Sequence, residues 1–278
     1  MKNNDILEEI LKNKKSLYNE IKIRFEESKF GIDMVSPFLN KLKPSSNILE
    51  IGSGPCLLLS KITEKYPKLN INGIEPIGEG FELFDTILKI LKKKQKKINL
   101  FRGKFEDYNE KKIFDLIFSV NVLEHVENWE RYFDFLKKFL SKNGIALIYC
   151  PNYGFPYDCH FRIPMLINKK LTFKLFKNKI EEIEKKNNWV GLWKSINCVN
   201  YKQIKQYCNN IDLNVVSHPE INTILLERLD VDEEFRKRQN VFRLPGKLLR
   251  KTRILKIIYK IEWFHKYLPF MFLEIRKF

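Results

Sequence analysis

The stretch from Asn47 to Cys56, NILEIGSGPC, constrains this chain more than any other part of it. Ile48, Leu49 and Ile51 read as a buried parallel strand, and Gly52, Ser53 and Gly54 as the turn out of it. Pro55 reads as the start of a helix whose apolar face is Leu57, Leu58, Leu59 and Ile62. A strand, a glycine turn and a helix in this order form a unit in which a ligand approaches the backbone closely and the N–H groups of the helix start face it.

A dinucleotide fingerprint needs G-x-G-x-x-G, and this chain offers Gly52 and Gly54 followed by Leu57. Glu50, two residues before the first glycine, would repel a pyrophosphate at the mouth of the turn. The same carboxylate suits a cation, and S-adenosylmethionine carries both a sulfonium and an ammonium group. About 20 residues on, LNINGIEP (Leu69 to Pro76) reads as a second strand ending in Glu75, placed to accept the two hydroxyls of a ribose.

The alternation continues. A helical pattern over 78–97 turns Phe81, Phe84, Ile87, Leu88 and Leu91 inward and ends in a lysine run. A third strand follows at Ile98–Phe101, a fourth at Phe114–Val120, a helix at Trp129–Leu140 and a fifth strand at Ile145–Cys150. Residues 1–30 look helical and charged, and Ile32–Leu42 form an apolar helix. After Cys150 the alternation stops until a helix at Tyr201–Asn210 and a strand at Leu213–Ser217. The last strand lies at either 222–229 or 269–275, and the later one, from Phe270 to Ile275, is preferred.

Four motifs, ILEIGSG, GIEP, FDLIFSVNVLEHV and GIALIYCPN, occur in the order and spacing of the class I S-adenosylmethionine-dependent methyltransferases. Over residues 45–152 the chain resembles that family, in particular the small-molecule branch with the ubiquinone-biosynthesis and polysaccharide-modifying enzymes. The resemblance implies an α/β fold, a doubly wound, mostly parallel seven-stranded Rossmann-like sheet with helical insertions. It divides the chain into an N-terminal helical cap, 1–44, and a methyltransferase domain, 45–278, with insertions at 151–199 and 218–268. It implies S-adenosylmethionine as cofactor, held by Glu50, Gly52, Ser53, Gly54, Glu75, Pro76, Phe105 and Asn121. Cys56 stands where many members have a third glycine, and Lys104 where many have an acid near the adenine.

Methyl transfer from an activated cationic donor requires alignment and exclusion of water more than it requires catalytic groups. A hydroxyl acceptor adds the need for a base within hydrogen-bond reach. His125, with Glu124 in NVLEHVEN, lies just past the fourth strand, and His160 lies past the fifth; these three residues are the catalytic candidates. Relatives with E-x-x-E-H at this point bind a divalent ion, whereas this chain has Asn121 in place of the first acid, so catalysis without a metal is the expectation.

Composition bounds the rest. A chain of 278 residues, 44% of them hydrophobic, buries one large core. No apolar run matches a signal peptide or a membrane span, so a cytoplasmic enzyme is expected. The five cysteines lack metal-type spacing and read as reduced thiols. The net charge of +17 is concentrated locally, with eleven Lys or Arg and one acid, Glu262, between Arg236 and Lys266. Ile254, Ile258 and Ile261 recur there at helical spacing, with Lys256 and Lys260 to another side. That pattern suits an anionic membrane surface, which would place the enzyme at the inner face of a membrane, or else a helix packed on the core with a solvated basic face. Base-amino methyltransferases of this fold carry N-P-P-Y or D-P-P-Y after the fourth strand, and this chain has NVLE, so nucleic acid is disfavoured. The reading is methyl transfer to a small-molecule hydroxyl, on a sugar or a lipid-linked glycan acceptor. RNA methylation, or a non-catalytic adaptor keeping the fold, is the alternative.

Overall fold

The computed structural model describes residues 18–76, 84, 87–89, 91, 97–187, 189–252 and 254–278. Two compact units emerge, residues 1–120 with 135–147, and residues 121–134 with 148–278. Phe81, most of the lysine run after Leu91, and the first part of the N-terminal helix expected from the sequence lie outside the described residues.

In the first unit, helix α1 (Tyr18–Leu39) runs unbroken through the expected break near residue 31 and contains Pro37. Strand β1 (Asn47–Ile51) is buried along its last four residues, as a strand covered on both faces must be. Helix α2 (Leu57–Lys65) follows the glycine turn, and β2 (Asn70–Ile74), β3 (Ile98–Phe101) and β4 (Phe114–Val120) complete the unit's parallel strands. β1 pairs in parallel with both β2 and β4, and β2 pairs in parallel with β3. Helix α3 (Trp129–Phe139) then leads into β5 (Leu140–Pro151).

The second unit contains a two-stranded hairpin, β6 (Tyr157–Asp158) and β7 (Ile163–Pro164), and helices α4 (Lys169–Asn187) and α5 (Tyr201–Asn210). Asn200 caps α5 in a reciprocal box with Gln203. Strand β8 (Leu213–Ser217) is followed by four helices, α6 (Ile221–Val231), α7 (Glu233–Gln239), α8 (Arg243–Lys251) and α9 (Ile254–Lys260). Strand β9 (Phe270–Lys277) is the later of the two segments considered for the last strand; the other, 222–229, is helical within α6. The sheet order is β3-β2-β1-β4-β5-β9-β8, with β8 antiparallel to β9. The protein has the seven-stranded, mostly parallel α/β fold.

Asn152, buried at the exit of β5, joins distant parts of the second unit. Its Nδ2 donates to the carbonyls of His265, Lys266 and Leu268, at 3.2, 3.2 and 2.8 Å. Its Oδ1 accepts from the N–H groups of Gly154 and Tyr201, both at 3.1 Å. No helix among the described residues is long and apolar enough to cross a membrane.

Candidate active site

The glycine turn differs from the expected one at the helix start. Pro55 is not the first helical residue; Cys56 precedes α2 with φ 58°, in the left-handed region, and α2 opens at Leu57. Gly52 and Gly54 also have positive φ, 70° and 50°, which glycine adopts without a Cβ clash. The N–H groups of Gly52 and Ser53 both donate to the carbonyl of Ile74, at 2.8 and 3.1 Å, and that of Gly54 donates to Glu75 Oε2 at 2.7 Å. These three amides are therefore committed within the protein. What the turn offers a ligand is close approach and the carboxylates beside it. Ser53 is buried, and a side chain at Gly73 would meet its Oγ at 2.8 Å, which explains the glycine in β2.

Glu50 and Glu75 are both buried. Burial, and then the charge of Glu75, hold the Glu50 carboxyl well above its ordinary value. Glu75 is also raised by burial, against the opposing pull of the Gly54 amide and the Arg24 guanidinium. Glu50 Oε2 has no hydrogen-bond partner among the described residues. A buried, unsatisfied acid beside a second acid costs free energy unless a cation or donor reaches it, so this end of the sheet fits a positively charged ligand. Pro76 is exposed just past Glu75. Phe105 is buried, its ring edge-on to Phe135 at 5.7 Å.

The second unit holds the catalytic candidates. Asn121, with φ 54°, donates its N–H to the carbonyl of Tyr149 at 2.8 Å and turns the chain into the short helical turn Leu123–His125. Asn197 secures that turn: its Nδ2 donates to the carbonyls of Leu123 and Val126, at 2.7 and 2.8 Å, and its N–H donates to that of Glu124 at 2.9 Å. Glu124, His125 and His160 come together here, with one ligand atom from each lying within 4.8 Å of the others. The Glu124 side chain is fully buried, whereas those of His125 and His160 are 27% and 20% exposed.

The two histidines have different surroundings. Ser195 Oγ lies 3.0 Å from His125 Nδ1 and donates its own proton to the carbonyl of Leu192 at 2.8 Å. Ser195 is therefore placed to accept from His125 Nδ1, and in the neutral imidazole this leaves Nε2, 3.8 Å from Glu124 Oε1, as the basic nitrogen. His160 lies between Glu124, 4.0 Å from Nε2, and Asp158, 3.5 Å from Nδ1, with Tyr153 donating to the same Asp158 carboxylate at 2.8 Å. Burial opposes a charge on His160, but Cys159 and Asp158 outweigh it and hold the imidazole well above its ordinary value. Burial pushes Glu124 up to about 7, with His160 opposing. Sequence reading missed Tyr153, Asp158, Ser195 and Asn197. Asp158, an acid two residues before a candidate histidine, was the one visible signal.

A carboxyl whose folded pKa exceeds its ordinary value binds its proton more tightly in the folded state. Its contribution to stability is therefore complete below about 4.5 and is lost as pH rises through about 7. Denaturant unfolding at pH 5 and pH 8 should show the wild type losing stability relative to Glu124→Gln by about 2 kcal/mol over that window. Parallel pH dependence of the two proteins would refute the buried, proton-holding carboxyl.

The sequence profile of the methyltransferase-domain family matches residues 23–218. The chain belongs to the methyltransferase-domain family. An uncharacterised protein of Mycobacterium tuberculosis is 30% identical to this methyltransferase over 218 residues, 77% of this chain and 73% of the relative. A malonyl-[acyl-carrier protein] O-methyltransferase of Ilyobacter polytropus is 30% identical over 118 residues, 41% of this chain and 43% of that enzyme. Among solved structures, the phosphoethanolamine N-methyltransferase 2 of Haemonchus contortus, in complex with phosphomonomethylethanolamine and S-adenosylhomocysteine, superposes with a TM-score of 0.55 at 17% identity. It covers 95% of this chain, which spans 58% of that one, and at this identity the likeness is one of fold.

Proposed function

We propose that this methyltransferase acts on a hydroxyl of a small-molecule acceptor, a sugar or a lipid-linked glycan. The observation that carries this reading is His125, a partly exposed imidazole whose Nδ1 proton is fixed by Ser195 and whose Nε2 lone pair faces a buried carboxyl. Such a group is what a hydroxyl needs and a ready nucleophile does not. The relative named for O-methylation agrees with an oxygen acceptor.

When bound, the donor supplies a cationic methyl group already activated for displacement. Glu50 and Glu75 offer negative charge to it, Gly52 and Gly54 allow it close to the backbone, and Ser53, Pro76, Phe105 and Asn121 complete the proposed binding set. His125 Nε2 takes the acceptor proton, and the ionised Glu124 stabilises the imidazolium that results. His160, held between Asp158 and Glu124, lies beside His125 with ring centroids 5.4 Å apart and helps to position it.

A second reading rests on the clustering of Glu124, His125 and His160. One carboxylate and two imidazoles form a donor set for a transition-type divalent ion rather than magnesium. One experiment tests both readings: labelled donor is incubated with the protein and with lysate separated into lipid, glycan and RNA fractions, before and after exhaustive chelation. Label in lipid or glycan at full rate after chelation is expected. Label in RNA alone would overturn the hydroxyl small-molecule reading, loss on chelation would favour the metal, and no transfer into any fraction would favour the adaptor.

A further inference from the structure

The sequence pattern of the basic segment left open whether its apolar side packs on the core or faces outward, and several of its aliphatic side chains are exposed. On α8, Gly246 is buried so close to α6 that a Cβ there would meet Leu226 at 2.5 Å, which fixes the inner face of the helix. Leu244 and Leu248, two residues to either side of Gly246 and therefore on the opposite face, are 74% and 67% exposed. On α9, Tyr259 bonds to Thr223 of α6 at 2.9 Å, and Ile258 is half-buried. Ile254 and Ile257, at i and i+3, share an exposed outer face of α9, and Ile261 just past its end and Trp263 are exposed as well.

Exposed cations lie along the same segment. Lys247, Lys251, Lys256 and Lys260 are exposed, and Lys266 lies 4.3 Å from the Trp263 ring and 4.8 Å from that of Tyr267. The segment's one acid, Glu262, is paired with Lys205 and accepts from Tyr201. Apolar surface of this kind facing water marks an interaction site. The charge selects the occupant. A second copy of the chain would bring like charge to the contact, and nucleic acid offers little for exposed leucine and isoleucine. An anionic bilayer satisfies both features, with the aliphatic side chains entering the headgroup boundary and the lysine ammoniums remaining at phosphate depth.

We propose that α8, α9 and the turn through Trp263 and Tyr267 dock in the plane of an anionic lipid bilayer. This docking stands whichever acceptor is methylated.

Cosedimentation of the full chain with vesicles tests it, using phosphatidylcholine mixed with phosphatidylglycerol against phosphatidylcholine alone. Binding should favour the anionic vesicles by about tenfold or more and weaken with salt. Lys256→Glu with Lys260→Glu, and separately Leu244→Ser with Leu248→Ser, should each lower binding by about tenfold, while circular dichroism and donor affinity remain unchanged. Wild-type protein that ignores anionic vesicles at low salt would overturn the proposal, as would unaltered binding by the serine variant. If vesicles are ignored, a dimer dispersed by the serine substitutions would assign the face to a second copy. Retention of RNA without lipid binding would assign it to nucleic acid.

Discussion

Replacing His125 by Ala lowers the rate of methyl transfer by roughly 10²-fold or more, while affinity for S-adenosylmethionine stays the same. The imidazole is the accessible member of its cluster with a lone pair turned away from its anchor, since Nδ1 is committed to Ser195. Glu124 is fully buried and, in the proposed role, acts through His125, so Glu124→Gln should reduce turnover less than loss of the imidazole does. Its pH profile should differ too, because the amide cannot ionise near neutrality as the carboxyl held at about 7 does. His160→Ala should leave a base in place and cost less than His125→Ala. Full rate in the His125 variant, with the rate lost in the His160 variant, would reverse the two roles.

Glu75→Ala weakens donor binding by about 1.5 to 3 kcal/mol for a hydrogen bond lost to a charged acceptor, or roughly 10- to 150-fold. Glu75 Oε2 already accepts from the Gly54 amide, so Oε1 is the oxygen proposed to face the ribose hydroxyls. Glu75→Gln keeps an acceptor for Gly54 and separates the two contributions: it should hold the turn in place and still bind the donor less tightly than wild type. Calorimetry reads both variants, and unchanged affinity in the alanine variant would remove Glu75 from the donor site.

The sheet was legible because its strands are local apolar runs closed by acids and glycines, and the fourth-strand motif placed Glu124 and His125 on the turn beyond it. The left-handed Cys56 was not legible: proline at a helix start is a statistical preference, and here the tight turn extends one residue further. Ser195 and Asn197 were hidden for another reason. They meet His125 and the carbonyl of Leu123 across 70 and 74 residues, and nothing in their own neighbourhood distinguishes them from surface polar residues. The outward face of the basic segment was hidden because a stripe of isoleucines specifies amphipathic helix but not which side is covered. That choice was made by Gly246 against Leu226 and by Tyr259 against Thr223.

The place of β9 in the sheet carries a kinetic consequence. Among the described strands it comes last in chain order, yet it fills the position between β5 and β8. During synthesis β8 emerges before β9, the strand with which it pairs, and its amides on that edge wait unpaired. Asn152 likewise waits for the carbonyls of His265, Lys266 and Leu268, up to 116 residues downstream. Closure of so long a loop comes late and slowly, so the nascent chain presents an open strand edge to chaperones and to other chains until β9 is available.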